Sequence, residues 1–212
     1  MEKAEDKSYW TKRPLNDDRR DWNEKGKNWV DDYKVSVNHP HRKLILNELK
    51  EIGEFDSLLE VGCNAGPNLK VISEAYPQVR LAGIDVNADS INEARSFVNA
   101  DLKVAEATEI PFEDDSFDVV LCDAVLIYLD PDSFRLAMSE INRIARKGVI
   151  FVEWDDKSEE GRVVDGHWAR DYENILFDWF FNRVGKTKIK PEDWPNRSGN
   201  WARNGYVFIG MR

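Results

Sequence analysis

The stretch Leu58-Leu59-Glu60-Val61-Gly62-Cys63-Asn64-Ala65-Gly66-Pro67 constrains this chain more than any other. A short apolar run rich in Leu and Val ends at a turn holding two glycines, and an amphipathic segment starts at Pro67. That is the pattern of a buried strand feeding a tight loop that opens a helix. Such a loop turns backbone N–H groups and the positive end of the helix toward whatever lies above the strand's carboxyl end. Gly62 and Gly66 carry no Cβ and admit close approach of a ligand. Pro67 fits the first helical position, where its missing N–H costs nothing.

The alternation that begins there continues as far as Glu153. Strands are expected over 57–61, 80–84 (ending in Asp85), 102–105, 117–122 and 149–153. Helices are expected over 41–52, 67–76, 88–99 and 131–147, the last burying Phe134, Met138, Ile141 and Ala145 at helical spacing. Near-continuous Val/Ile/Leu strands interleaved with helices imply a parallel sheet covered on both faces. Right-handed crossovers then bring every strand's carboxyl end to one edge, where ligands of open α/β sheets bind. After Glu153 a charged loop is expected over 155–166, then a helix from His167 to about Arg183, then strands over 186–190 and 206–211. The expected fold is α/β: a Rossmann-like, doubly wound, mostly parallel seven-stranded sheet with an antiparallel C-terminal strand and helices on both faces.

Residues 29–212 read as a single domain, preceded by a charged, Trp-containing arm over 1–28. Its first dozen residues are expected to be mobile. Trp10, Trp22, Trp29 and Tyr33 need a surface to lie on, so part of the arm also reads as a lid over the pocket; for Trp29 and Tyr33, core packing and lid stand as equal readings. The formal charge of −10 and pI of about 4.9 disfavour a nucleic acid held by bulk electrostatics. No apolar run is long enough for a bilayer and the first residues lack the apolar core of a secretory signal, so a cytoplasmic location is expected, with no membrane partner. Cys63 and Cys122 are too few for a disulfide framework and are expected to be reduced. The pair His39 and His41 lacks a third donor at suitable spacing, and no metal is expected.

The glycines of the loop do not form the dinucleotide pattern GxGxxG, and alone they are a weak signal. Asp85 sharpens them, because an acidic residue about 20 positions on, at the end of the second strand, is where a ribose hydroxyl pair is held. Loop and carboxylate together specify a ribose-bearing ligand.

The segments Glu60–Gly66, Gly83-Ile84-Asp85-Val86 and Ile110-Pro111-Phe112-Glu113-Asp114-Asp115-Ser116-Phe117-Asp118-Val119-Val120 resemble the successive motifs of class I S-adenosylmethionine-dependent methyltransferases. The likeness is greatest to the small-molecule group with an LPF-x-D-x-SFD signature, and it spans roughly residues 41–153. The resemblance implies S-adenosyl-L-methionine as cofactor. Gly62, Cys63, Asn64 and Gly66 would line its methionine and ribose portion, and Glu60 would orient the loop or meet the methionine amine. Asp85 would take the ribose hydroxyls, Val86 would flank the adenine, and Glu106 and Ala107 would form the adenine edge. Asp123 would lie beside the methionine moiety and the acceptor entrance. Two positions depart from the pattern. Asn64 stands where a central glycine is usual, and Asn is the residue best able to replace it at positive φ. Glu106 stands where Asp is commoner.

A sulfonium methyl is already electrophilic, so the protein has mainly to hold a nucleophile in line with it and away from water, and a general base is optional. No D/N-P-P-Y motif follows the fourth strand, and no Pro-Cys nucleophile occurs. The acceptor surface is expected from the arm (Trp29, Tyr33), Tyr128, Arg170 and Tyr172. His167 and Asp123 are the catalytic candidates, with His167 read as base, as orienting residue, or as an ordinary surface hydrogen-bonder at a helix start. The acceptor is expected to be a small or glycan-like molecule, with O-methylation favoured and N-methylation next. Two other classes compete: a nicotinamide oxidoreductase on the same sheet, which calls for a third loop glycine, and a non-catalytic binding protein retaining the fold.

Overall fold

The computed structural model describes residues 7–13, 34, 36–179, 181–195 and 200–212. Its strands are β1 (Ser57–Val61), β2 (Arg80–Asp85), β3 (Asp101–Val104), β4 (Phe117–Asp123), β5 (Ala145–Trp154), β6 (Val163–Val164), β7 (His167–Trp168), β8 (Arg183–Lys188) and β9 (Gly205–Met211). The helices among the described residues are α1 (Lys7–Lys12), α2 (Arg42–Ile52), α3 (Pro67–Ala75), α4 (Ala88–Phe97), α5 (Pro131–Ile144), α6 (Tyr172–Asp178) and α7 (Asn200–Asn204). Seven strands form one sheet in the order β3-β2-β1-β4-β5-β9-β8. The β3-β2-β1-β4-β5 portion is parallel, and β9 runs antiparallel to both neighbours. The expected α/β fold is the one observed.

Alternate residues of each buried strand feed two apolar layers. Leu58, Val119, Leu121 and Ile150 pack with Ile45, Leu49, Leu69, Ile72 and Ile91 of α2, α3 and α4. Leu59, Val61, Val120 and Phe151 pack with Ala137, Met138, Ile141 and Leu176 of α5 and α6. Each fully buried aliphatic side chain contributes about 1.5–3 kcal/mol relative to exposure. Local signals fix where helices start: the Asn87 side chain accepts from the Ser90 N–H, and that of Asp130 from the Asp132 and Ser133 N–H groups ahead of Pro131. Register then sets the site. Val61 lies opposite Ile84 and Cys122, so β1, β2 and β4 end level and carry Asp85 and Asp123 to the same edge.

The expected helix from His167 is corrected. His167 and Trp168 instead pair with Val164 and Val163 in a two-stranded hairpin. Asp165 and Gly166 turn it with φ of 49° and 79°, the mirror-type turn that an Asp-Gly pair favours. The helix begins only at Tyr172, where the Asp171 side chain accepts from the Asn174 N–H. β5 starts four residues earlier than expected, directly after α5, and β8 starts at Arg183. Within the N-terminal arm, residues 7–12 form α1. Trp10 packs on Tyr128 at 4.8 Å between ring centroids, and the Asn87 amide donates to the carbonyls of Trp10 and Arg13 at 3.0 and 3.2 Å. Trp22, Trp29 and Tyr33 lie outside the described residues. No helix among the described residues is long and apolar enough to cross a membrane. Cys63 and Cys122 are buried, unbridged thiols, as expected.

Candidate active site

The turn after β1 is built on left-handed backbone. Gly62, Asn64 and Gly66 have φ of 76°, 50° and 81°, so Asn64 adopts the conformation anticipated for it. The N–H groups of Gly62 and Cys63 both donate to the Ile84 carbonyl, at 2.8 and 2.9 Å, which ties the loop to the end of β2. A Cβ on Gly62 would stand 2.2 Å from Val125 Cγ2, so the loop also packs tightly against the segment after β4. Asp85 accepts from the backbone N–H of Asn64 and of Asn87, each at 2.9 Å. Burial pushes its pKa up, against those donors.

Beneath the loop lies a buried polar network. Asn68, on the first turn of α3, donates through one amide nitrogen to Glu60 Oε1 at 2.7 Å and to Asp123 Oδ2 at 2.9 Å. Its amide oxygen accepts from Arg42. His41 Nε2 lies 2.9 Å from the same Asp123 oxygen, and Arg42 Nη1 at 3.7 Å. The two carboxyl groups are driven apart. Burial raises Glu60 to about 8, with the Asn68 amide opposing and the neighbouring Asp123 adding to the rise. For Asp123 the burial penalty is outweighed by His41, Arg42 and Asn68, which hold it at about 2. One carboxyl therefore stays protonated near neutrality beside an ionised one. Glu60 Oε2 is buried without a hydrogen-bond partner among the described residues.

The opposite wall is the turn after β4. The carboxylate of Glu153, fully buried, accepts the N–H groups of Val125, Leu126 and Ile127 at 3.0, 2.9 and 3.2 Å, and burial lifts its pKa to about 8. Arg170 donates to the Leu126 carbonyl at 2.7 Å and to that of Leu129, with its guanidinium 4.1 Å from the Phe134 centroid. Tyr172 is fully buried against Phe151 and Phe208. Both residues pack behind this wall. Tyr128 and His167 are half-buried: His167 Nε2 lies 3.3 Å from the Tyr128 hydroxyl, and its ring 4.1 Å from that of Trp154. Glu106 and Ala107 follow β3, where Thr108 Oγ1 donates to Glu106 at 3.3 Å.

Among the described residues, no group of three or more His, Cys, Asp and Glu is arranged to hold a metal. His39 and His41 are joined to Asp123 instead. That link was invisible in sequence, since spacing gives no sign that position 41 meets position 123. The roles of Asn68 and Arg42 were missed for the same reason, although a buried Asn on the first turn after a Gly-rich loop is a signal worth following.

Residues 58–148 match the methyltransferase-domain family. An uncharacterized protein of Methanocaldococcus jannaschii is 29% identical over 103 residues, 49% of this chain and 38% of that protein. A fatty-acid O-methyltransferase of Mycolicibacterium smegmatis is 30% identical over 105 residues, 48% of this chain and 38% of that protein. The chain thus spans less than half the length of these relatives. Among solved structures, magnesium protoporphyrin IX methyltransferase of Synechocystis PCC 6803 with bound SAH superimposes with a TM-score of 0.65 at 14% identity, covering 97% of both chains.

Proposed function

We infer from this chain, whose residues 58–148 belong to the methyltransferase-domain family and whose sheet has the class I S-adenosylmethionine-dependent methyltransferase fold, that it moves a methyl group from S-adenosyl-L-methionine to a small-molecule acceptor. An oxygen acceptor is favoured, in line with the fatty-acid O-methyltransferase among the relatives.

The observation that carries the reading is the junction of the turn with Asp85, a left-handed glycine loop whose Asn64 N–H and a carboxylate at the next strand end are already bonded to each other. Such a pair fixes where a ribose diol would be gripped. The donor set fits the cofactor. Glu60 Oε2 is buried and unpartnered among the described residues, and a nearby ammonium group would favour its ionised, accepting form over the protonated one that burial favours in its absence. Asp123 Oδ2 takes the contacts of His41, Asn68 and Arg42, so Oδ1 is available to the same group. Gly62, Cys63, Asn64 and Gly66 would line the methionine and ribose portion, Val86 would flank the base, and Glu106 and Ala107 would supply its far edge. When bound, the cofactor supplies an electrophilic sulfonium methyl.

The chain's own part is to position and to exclude water. Trp10 of α1 with Tyr128 forms the edge of a lid. His167 orients the acceptor from the Tyr128 side. The half-buried ring of Tyr128 suits a ring or sugar face. The test is transfer of label from tritiated S-adenosylmethionine to fractions of a small-metabolite extract. Labelling of a discrete fraction is expected, and no transfer to any fraction would overturn the reading.

A further inference from the structure

Glu60 of β1 and Asp123 of β4 share one partner and little else. The Asn68 amide nitrogen donates to Glu60 Oε1 at 2.7 Å and to Asp123 Oδ2 at 2.9 Å, while its oxygen is committed to Arg42. The cationic and donor groups stand on the Asp123 side, with His41 Nε2 at 2.9 Å and Arg42 Nη1 at 3.7 Å from Oδ2. Glu60 is 2% exposed, and its Oε2 has no hydrogen-bond partner among the described residues. The charged groups facing Glu60 are Asp123 from β4, Arg42 from α2 and Asp85 from β2, so two of the three are negative.

A carboxylate in that position would be buried, held by one amide and repelled by two neighbours. Such a group keeps its proton instead. Oε1 already accepts from Asn68, so the proton belongs on Oε2. What Glu60 lacks is a cation of its own. The ammonium group of S-adenosylmethionine is one, and Asp123, already compensated by its own partners, needs no change of state to meet it.

We propose that the cofactor's ammonium group exchanges for a proton on Glu60: the ligand-free chain holds Glu60 as the neutral acid, and binding releases that proton to water. This rests on the methyltransferase reading above. The O–H bond of Glu60 breaks, its electron pair stays on Oε2, and the proton passes to water. The carboxylate so formed pairs with the ammonium, which leaves the net charge around the two carboxyl groups as it was. The sign of the pH dependence follows. Binding needs the ionised form, and burial holds Glu60 at about 8 in the ligand-free chain. Affinity should therefore rise with pH, about tenfold per pH unit as one proton leaves per ligand, and flatten above about pH 8.

Two measurements on the full chain decide it. Calorimetry in phosphate and in Tris at one neutral pH counts the protons released, because the two buffers differ in their heats of ionisation. The ligands are S-adenosylhomocysteine and 5′-methylthioadenosine, which keeps the adenine and ribose but has no amino-acid portion. Any change at Asp85 is common to both, so the difference between them isolates Glu60. S-adenosylhomocysteine is expected to release about one proton more. Glu60→Gln, which copies the shape of the neutral acid and keeps an oxygen for Asn68, should abolish that excess. It should also weaken S-adenosylhomocysteine about tenfold or more and leave 5′-methylthioadenosine nearly unchanged. Equal proton counts for the two ligands, or an excess that survives in Glu60→Gln, overturns the proposal. The second measurement is infrared difference spectroscopy. The carbonyl band of a protonated carboxyl should be stronger in the ligand-free wild type than in Glu60→Gln, and the excess should vanish when S-adenosylhomocysteine binds. A band equal in the two proteins, or one that persists on binding, overturns it. If S-adenosylhomocysteine binds but either result goes against Glu60, this proposal falls and the methyltransferase reading stands. If neither S-adenosylhomocysteine nor S-adenosylmethionine binds, both fall.

Discussion

Replacing Gly62 with Ala puts the architecture of the turn to a quantitative test. The residue sits at φ 76°, where a side chain costs about 1–2 kcal/mol. The added methyl would stand 2.2 Å from Val125 Cγ2, and Val125 cannot retreat easily because Glu153 holds its N–H at 3.0 Å. Forcing a methyl into such packing costs about 1–3 kcal/mol more. Gly62→Ala should therefore lower the free energy of unfolding by about 2–5 kcal/mol, read from urea titrations with an unchanged slope. The two contributions separate in a double-mutant cycle. Val125→Ala removes the clashing methyls but not the backbone strain, so the double variant should be more stable than the summed single effects by about 1–3 kcal/mol. Strict additivity, or a Gly62→Ala protein within about 0.5 kcal/mol of the wild type, would refute the reasoning.

Glu60 has a folded-state pKa of about 8 against an ordinary 4.5. The folded state thus holds a proton that the unfolded state releases, and this group costs stability increasingly from about pH 4.5 up to pH 8. The cost is at most about 5 kcal/mol. Urea unfolding of Glu60→Gln should show a shallower loss between pH 5 and pH 8 than the wild type; equal losses would contradict this. Asp123, held at about 2, acts with the opposite sign in a separate window: its contribution is intact above about pH 4 and fades as the pH falls toward 2. Arg170→Ala should destabilise by about 2–5 kcal/mol, because it strands the carbonyls of Leu126 and Leu129 and removes the cation over Phe134. Retention of full stability in that variant would reopen Arg170 as a ligand contact.

The sheet was legible because its strands are buried on both faces and announce themselves as unbroken runs such as Leu58–Val61 and Val119–Cys122, while Asn87, Asp130 and Pro131 mark helix starts chemically. The tail was misread where two periodicities compete. Trp168, Tyr172, Ile175 and Trp179 fall at helical spacing, yet Val163-Val164-Asp165-Gly166-His167-Trp168 is a hairpin signature, and the Asp-Gly turn won. The loop and Asp85 could be placed at one edge from sequence because they lie on consecutive strands with a fixed register. The network around Asp123 could not, since it joins positions 41, 42, 60, 68 and 123 through tertiary packing alone. Arg170 and Tyr172, expected in the acceptor surface, are buried behind the turn after β4, a placement that sequence spacing does not reveal.

The most direct measurement is calorimetry of the full chain with S-adenosylmethionine, with its demethylated product and with NADH, repeated on Asp85→Ala. The first two ligands should bind the wild type and NADH should not, and Asp85→Ala should weaken binding at least tenfold while the chain remains folded. Binding of NADH alone, no binding of either adenosyl ligand, or an Asp85→Ala protein of undiminished affinity would contradict the assignment of this loop to S-adenosylmethionine.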